Sequence, residues 1–573
     1  MKKIIVSILV VSLLLSSASL TVGEKETPMA PFDGNTLYVG GSGAGNYSSI
    51  QAAINDASDG DTVFVFDDSS PYYESVNVDK PISLIGEDKN TTIINSSGIG
   101  RIYLSVGVTL SGFTILNEKS TGVQAAAVIA GCDNIISGNR IINTDIGIDI
   151  SHRYNTTIVS NVISDNSHGI LGMGMIHCDN NLITNNIIVN NSKYGILLIR
   201  SYDNTITNNT FISNGIALRG DSLHYWNTHT IEENTINGKP IRYYKNINNV
   251  LIPSNTGQII LANCTDTTIQ NLILSDVGEG IQLGYSSHIT IYDNIITNNY
   301  DGVYAWGLSY SNIVDNTIIN NEKFGISEDN ECHSNIFLRN IFEHNNEVGL
   351  RLGGSSNNTI SKNVFRNNSG NGLLLIESSN NVIYYNNFIN NTENAEDFGE
   401  NIWDDAVGKG NYWDNYTGND SDGDGIGDIP YEIPGGNNQD NYPLMEPWTF
   451  ENLPPNIPTI TGPTNGRIGI EYNFTFTTTD PDGDEIYLWI DWGDDTFEEW
   501  IGPYSSGEEV IVAHTWSEQG IYIVKAKAKD VFDAESDWGY LEVTMPFNQV
   551  TRRSTPSSQT FQSIIKTTLP MSR

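Results

Sequence analysis

Asn134-Ile135-Ile136-Ser137-Gly138-Asn139-Arg140-Ile141 opens a stretch, running to Asn387, in which one phrase recurs: an Asn, then Ile or Val, two or three residues, another Asn, then two residues of which at least one is aliphatic or Phe. The second Asn falls at Asn139, Asn161, Asn186, Asn209, Asn234, Asn271, Asn294, Asn316, Asn340, Asn363 and Asn386, in steps of 22 to 25 residues with one step of 37. Self-similarity at such a period means stacked repeats, each burying its apolar side against the next. A second strand signal runs between the Asn phrases: Gly followed by aliphatics, as in Gly147-Ile148, Gly195-Ile196, Gly280-Ile281-Gln282-Leu283 and Gly349-Leu350-Arg351-Leu352. Alternation with period two is a strand with one face inward. Asn and Gly supply the left-handed backbone of tight turns. Each period is therefore one coil of a parallel β-helix, and the fold class is all-β. Eleven coils at roughly 4.8 Å each predict a single rod of about 50 Å.

With these residues in view, the chain resembles the right-handed parallel β-helix proteins of the pectin-lyase-like class. Within that class it resembles the NosD-like family, named for a periplasmic copper-binding maturation protein. The resemblance covers roughly residues 35 to 447, and Gly238-Lys239-Pro240-Ile241-Arg242-Tyr243-Tyr244, inside the one long step, looks like that family's central insertion. It implies the fold. It does not imply one activity, because the fold carries lyases, hydrolases, epimerases and binding proteins alike.

At the N-terminus, Lys2 and Lys3 precede an apolar run from Ile4 to Leu15, with Ser16 and Ala18 placed for cleavage. Residues 1–18 read as a secretory signal peptide, too short for a membrane span. The expected location is secreted or cell-surface. The net charge of −39, from 68 acidic and 29 basic residues, argues against nucleic acid as a partner. Residues 35–392 read as the β-helix, entered through a cap helix on which Ile50, Ala53, Ile54 and Ala57 follow helical spacing. Cys132, Cys178, Cys264 and Cys332 fall in coils too far apart to pair, so all four read as buried free thiols.

Residues 393–448 hold fourteen acidic residues and one basic, Lys409, and read as an acidic cap on the last coil. Asn411-Tyr412-Trp413-Asp414-Asn415-Tyr416 and Asp440-Asn441-Tyr442-Pro443-Leu444-Met445 look like the closing segment of NosD-like surface proteins. Residues 453–546 read as a β-sandwich. Trp489-Ile490-Asp491-Trp492-Gly493-Asp494-Asp495 and His514-Thr515-Trp516 there resemble the PKD module, with Trp492 expected in the core. Residues 547–573 form a polar tail without an apolar span.

Three groups of residues invite a binding role. Tyr304 and Trp306 alternate with Val303 and Ala305, so they are expected to face outward and offer ring faces to sugars; packing under a loop is the competing reading. Met173, Met175 and His177 alternate on one strand with His168 and Cys178 beside them, a soft donor set that selects Cu(I); two methionines packed inward would be the plain alternative. Asp420, Asp422 and Asp424, with Gly425, the Ile426 carbonyl and Asp428, have the spacing of an EF-hand calcium loop, although Tyr431 stands where a bidentate Glu is needed. For catalysis, Asn143-Thr144-Asp145 and Ser167-His168-Gly169 each look like one polygalacturonase motif, but the paired Asp between them is missing. No catalytic constellation is named. The reading is a surface protein that binds polysaccharide or a surface glycoprotein. A copper-binding protein is one alternative, and a polysaccharide lyase or glycoside hydrolase is the other, which would show carboxylates converging with Arg or Lys in a groove.

Overall fold

The computed structural model describes residues 34–96, 100–117, 126–173, 178–405, 407–449, 452–481 and 484–546. The expected signal peptide and the polar tail lie outside them. Among the described residues no helix is long and apolar enough to cross a membrane. The chain divides into two compact units, 1–448 and 449–573.

The first unit opens with the helix Ile50–Asp56, which buries Ile50, Ala53 and Ile54 over the first coil. The Ser49 side chain accepts from the Ala52 amide, and the Glu74 carboxylate accepts from the amides of Ile50 and Gln51 at 2.8 and 3.0 Å. Lys80 donates to the carbonyls of Ile54, Asn55 and Ala57 at the other end. An anion at the N-terminus and a cation at the C-terminus complement the helix dipole, so this short helix is held at both ends.

Each coil contributes short strands that pair, in parallel, with the matching strands of the next. Ile135–Ser137 pairs with Thr157–Val159, Arg140–Ile142 with Val162–Ser164, and Ile146–Asp149 with His168–Met173. The turns between them use Asn in the left-handed region, for example Asn185 at φ 56° and Asn208 at φ 54°. Inside the coils Asn139, Asn161, Asn186, Asn209 and Asn234 form a ladder, each side-chain amide donating to the next side-chain oxygen at 3.0 to 3.2 Å. The Asn161 amide also donates to the Ile136 carbonyl, and its oxygen accepts from the Asn139 amide, so a fully buried polar side chain has its bonds made. A second ladder runs Asn294, Asn316, Asn340, Asn363, Asn386, Asn411. Asn271 does not belong to it. Asn271 sits exposed in the turn at φ 55°, and the amide of the next residue, Leu272, donates to Asn294.

The expected single rod is broken at the long step. The turn Asn237-Gly238 folds Thr235–Ile236 and Lys239–Lys245 into an antiparallel pair, reversing the strand direction, after which Ile241 to Lys245 pair in parallel with Gln258–Ala262. A nine-stranded sheet ends at Thr230–Glu232 and a seven-stranded sheet at Ile216–Arg219; new sheets begin at Thr268–Gln270 and Ile273–Ser275, and one fifteen-stranded sheet passes through the break. The result is two solenoids meeting at a corner, the end of the first abutting the side of the second. Strand Gln258–Ala262 is buried on both faces: Ile259 and Leu261 enter the second core, Ile260 and Ala262 the first. The free edge at Ile216–Arg219 is closed by side chains. Gln258 and Gln282 donate to the Ile216 carbonyl at 2.9 and 2.5 Å and accept from the amides of Ile216 and Leu218 at 3.1 and 2.9 Å.

The second core ends in a column of rings, Phe342, Phe365, Phe388, Trp413 and Tyr431, stacked at 4.2 to 5.0 Å. Asp440 takes the place of the next ladder Asn, accepting from the Asn411 amide at 2.7 Å and the Trp413 indole at 2.9 Å. All four cysteines are free; Cys178, Cys264 and Cys332 are buried and Cys132 is half-buried.

The second unit packs a three-stranded sheet, Thr459–Thr461, Tyr472–Thr477 and Glu509–His514, on a four-stranded one, Phe497–Tyr504, Ile486–Asp491, Gly520–Asp530 and Gly539–Met545. Trp492 is in its core beside Phe474, Phe476 and Trp516. His514 stacks on Trp492 at 4.5 Å and contacts Asp494 at 2.8 Å.

Candidate functional site: the cleft at the corner

Strand Asp301–Trp306 sends Val303 and Ala305 into the second core and Tyr304 the other way, into the corner. Tyr304 is therefore not free to solvent as its alternation predicts. It is 5% exposed, because its ring stacks on Trp226 at 6.2 Å and the Arg219 guanidinium lies over it at 3.4 Å. Trp306, at the strand's end, stays half-buried. Both residues line one cleft of about 450 Å³, together with the rings of Tyr194, Tyr300 and Phe324. The sugar-platform expectation thus placed two residues in a cavity that alternation along one strand could not reveal.

The polar lining was not anticipated. Arg219, at the end of the first solenoid, reaches across to Glu279 and Asp301 on the second: its Nη1 donates to Glu279 at 2.8 Å, its Nη2 contacts the other Glu279 oxygen, and Asp301 lies 3.5 Å away. The Tyr194 hydroxyl is 3.4 Å from the same guanidinium. Burial pushes the Asp301 carboxyl up to about 7, Glu279 adds to the rise, and Arg219 and Lys323 oppose it. Burial also raises Glu279, with Arg219 pulling against it. Arg351 pairs with Asp329 and donates to Ser327 at 3.1 Å. A signal for this column did exist: Tyr194, Glu279, Asp301 and Phe324 each stand immediately before the Gly of their coil. The alternation that marks a strand starts after that Gly, so the residue before it carries no period.

Carboxylates and cations thus converge in a groove, the arrangement named above for a cleaving enzyme. Their accessibility differs from what hydrolysis needs. Glu279 is fully buried under Arg219, and Asp301 is 3% exposed, so neither offers a free oxygen pair to a glycosidic bond.

The metal expectations fare unevenly. Met173 is exposed, whereas Cys178 lies in the core on the other side of the same wall, its thiol pushed up to about 12 by burial, so Cys178 cannot join Met173. His168 is nearly buried beside Tyr194, with its pKa lowered by burial. Met175 and His177 lie outside the described residues. Among the described residues, the group of three or more His, Cys, Asp or Glu side chains close enough to share an ion is Asp420, Asp422 and Asp424, whose hard oxygens do not suit Cu(I). Asp428 is not with them: its carboxylate accepts from the backbone amide of Ser421. The Ile426 amide donates to Asp424 at 2.9 Å within the same loop.

A family model described as periplasmic copper-binding protein (NosD) matches residues 54–246 and 242–418. No curated protein matches the chain. Among solved structures, the PKD domain of an M14-like peptidase from a Thermoplasmatales archaeon is 66% identical, covering 17% of this chain and 99% of that one, with a TM-score of 0.17. A mannuronan C-5 epimerase A-module from Azotobacter vinelandii is 15% identical, over 62% of this chain and 92% of its own, with a TM-score of 0.28. The catalytic domain of a GH87 alpha-1,3-glucanase in complex with nigerose is 11% identical, over 57% and 65%, with a TM-score of 0.31.

Proposed function

The chain belongs to the periplasmic copper-binding protein (NosD) family, and from that premise we propose that it is an exported cell-surface β-helix protein that holds a polysaccharide or the glycan of a surface glycoprotein in the corner cleft. One observation carries the reading: Trp306, Tyr300 and Phe324, all half-buried, line a 450 Å³ cleft whose other lining includes Arg200, Arg219, Asp221, Asp329 and Lys323. A sugar has apolar ring faces and a polar rim, and this wall matches both. Glu279 and Asp301 are covered, and the accessible Asp221 and Asp329 are paired with Arg200 and Arg351, which supports binding over cleavage. Titration of the purified protein against an oligosaccharide panel tests it. Trp306→Ala is expected to weaken binding at least tenfold, the ~1.4 kcal/mol of one decade in affinity; unchanged binding removes the cleft from consideration.

Two metal roles are proposed beside it. Asp420, Asp422 and Asp424 have oxygens within 4.8 Å of one another, which supports weak calcium binding in that loop. Calorimetry with Ca²⁺ should show heat that Asp420→Asn, Asp422→Asn abolishes; silence in the parent protein ends the idea. The exposed Met173 thioether and the family's description support Cu(I) at Met173, Met175 and His177. Competition against a Cu(I) chelator checks it, with a Met173→Leu, Met175→Leu, His177→Ala variant expected to lose the affinity.

A further inference from the structure

Thirteen Asn-x-Ser/Thr triplets occur in the chain. An Asn-rich repeat writes such triplets by itself, so their presence selects none of them; exposure in the folded chain does. Asn190-Asn191-Ser192, Asn208-Asn209-Thr210 and Asn390-Asn391-Thr392 stand apart. In each, the middle Asn turns inward: Asn191 donates to the Ile163 carbonyl at 3.3 Å, Asn209 to the Ile183 carbonyl at 2.9 Å and Asn391 to the Phe365 carbonyl at 2.9 Å. That inward turn holds both neighbours outside. Asn190, Asn208 and Asn390 sit in left-handed turns at φ 52°, 54° and 53°, and they and Ser192, Thr210 and Thr392 are all exposed. Among the described residues none of these six side chains is hydrogen-bonded. The other triplets lack one of these features. Asn95 is buried, and the side-chain amides of Asn46 and Asn155 donate to the Gly40 carbonyl at 2.6 Å and to Asp133 at 3.0 Å. Thr359 and Thr475, which complete the triplets of Asn357 and Asn473, are half-buried on strands, and Ser421, which completes that of Asn419, donates to Asp428 at 2.5 Å.

We propose that Asn190, Asn208 and Asn390 are sites of Asn-linked glycosylation. The inference rests on the chain being exported, and the donor it needs is a lipid-linked oligosaccharide phosphate presented by a transferase. The Asn Nδ2 attacks the anomeric carbon of that donor. The bond from this carbon to the phosphate oxygen breaks as the N–C bond forms, the amide gives one proton to a base of the transferase, and the lipid phosphate leaves with the bonding pair. An amide already donating inside the fold must first break its own bond, and a buried one cannot be reached. The hydroxyl two residues on has to be open as well, because Asn and Ser or Thr are read together as one acceptor.

The test expresses the full chain, residues 1–18 included, in a host whose export pathway attaches Asn-linked glycans, and maps the peptides of the exported fraction by mass. Glycan is expected on the peptides of Asn190, Asn208 and Asn390 and absent from those of Asn46 and Asn95. Asn190→Gln, Asn208→Gln, Asn390→Gln should lower the intact mass by three glycans. Ser192→Ala should lose the glycan at Asn190 alone, and Ser192→Thr should keep it. Melting curves establish that each variant is folded. If the exported chain carries no glycan at these three residues, the inference is overturned and export stands. Glycan on the buried Asn95 would show attachment ahead of folding and overturn selection by the folded surface. If the chain is retained inside the cell, the export reading falls and this inference with it.

Discussion

The stacked coils and the corner are built from the same strands and obey opposite rules. In a coil such as that of Asn316 and Ile318, each side chain meets its own equivalent one period away: Asn316 meets Asn340, and Ile318 aligns with Phe342. At the corner, Leu218 bonds to Gln282 and Arg219 to Asp301, partners 64 and 82 residues apart that repeat nowhere else in the described chain. The difference teaches where a solenoid makes a cavity. A repeating column presents like residues in line along an open face; a break folds one column against another and makes a cavity with unlike walls.

The corner is most sharply broken at Gly284. A side chain there would start 2.2 Å from the Trp226 ring, which covers Tyr304. Gly284→Leu is expected to wedge the solenoids apart, with saccharide affinity falling at least a hundredfold while the far-ultraviolet circular dichroism of the coils persists. Retained affinity would show that the cleft does not depend on the corner. In the ladder, Asn340→Ala leaves the buried Asn316 backbone amide without its acceptor and takes one donor from the Ile313 carbonyl, at a cost of about 2 kcal/mol. Thermal unfolding of the first unit should register that loss with saccharide affinity intact, the reverse balance to Gly284→Leu.

The smallest effect concerns a coil that departs from its column. Glu328 points into the second core between Ala305 and Leu352, bonded to Asn335 at 3.3 Å, and burial pushes its carboxyl up to about 8. A carboxyl whose pKa is raised on folding binds its proton more tightly in the folded chain. Its stabilising contribution is therefore complete below the unfolded value and lost as pH rises through about 8. The melting temperature of the first unit should drop between pH 5 and 9, and Glu328→Gln should flatten that drop. A parallel slope in the variant would place the titration elsewhere, Asp301 at about 7 being the next group to test.

What the sequence determined by itself was everything that repeats. The Asn step of 22 to 25 residues announced coils, the ladder at Asn139 to Asn234 followed from it, and the Gly-aliphatic phrases announced the inward faces. Such contacts carry a period because every coil solves the same packing problem as its neighbour, so the solution is written many times. The one long step was visible, but Asn271 at its end carries the ladder phrase in sequence and only the structure shows it in an exposed turn. What that step built was decided only in three dimensions. Gln258 and Gln282 closing a strand edge, Tyr304 covered by Trp226, and Arg219 joined to Asp301 are each written once, between residues with no shared pattern. The reason is physical: stacking energy between equivalent coils is local and periodic, whereas the corner is held by side chains that become neighbours only after the hairpin at Asn237-Gly238 has turned the chain back.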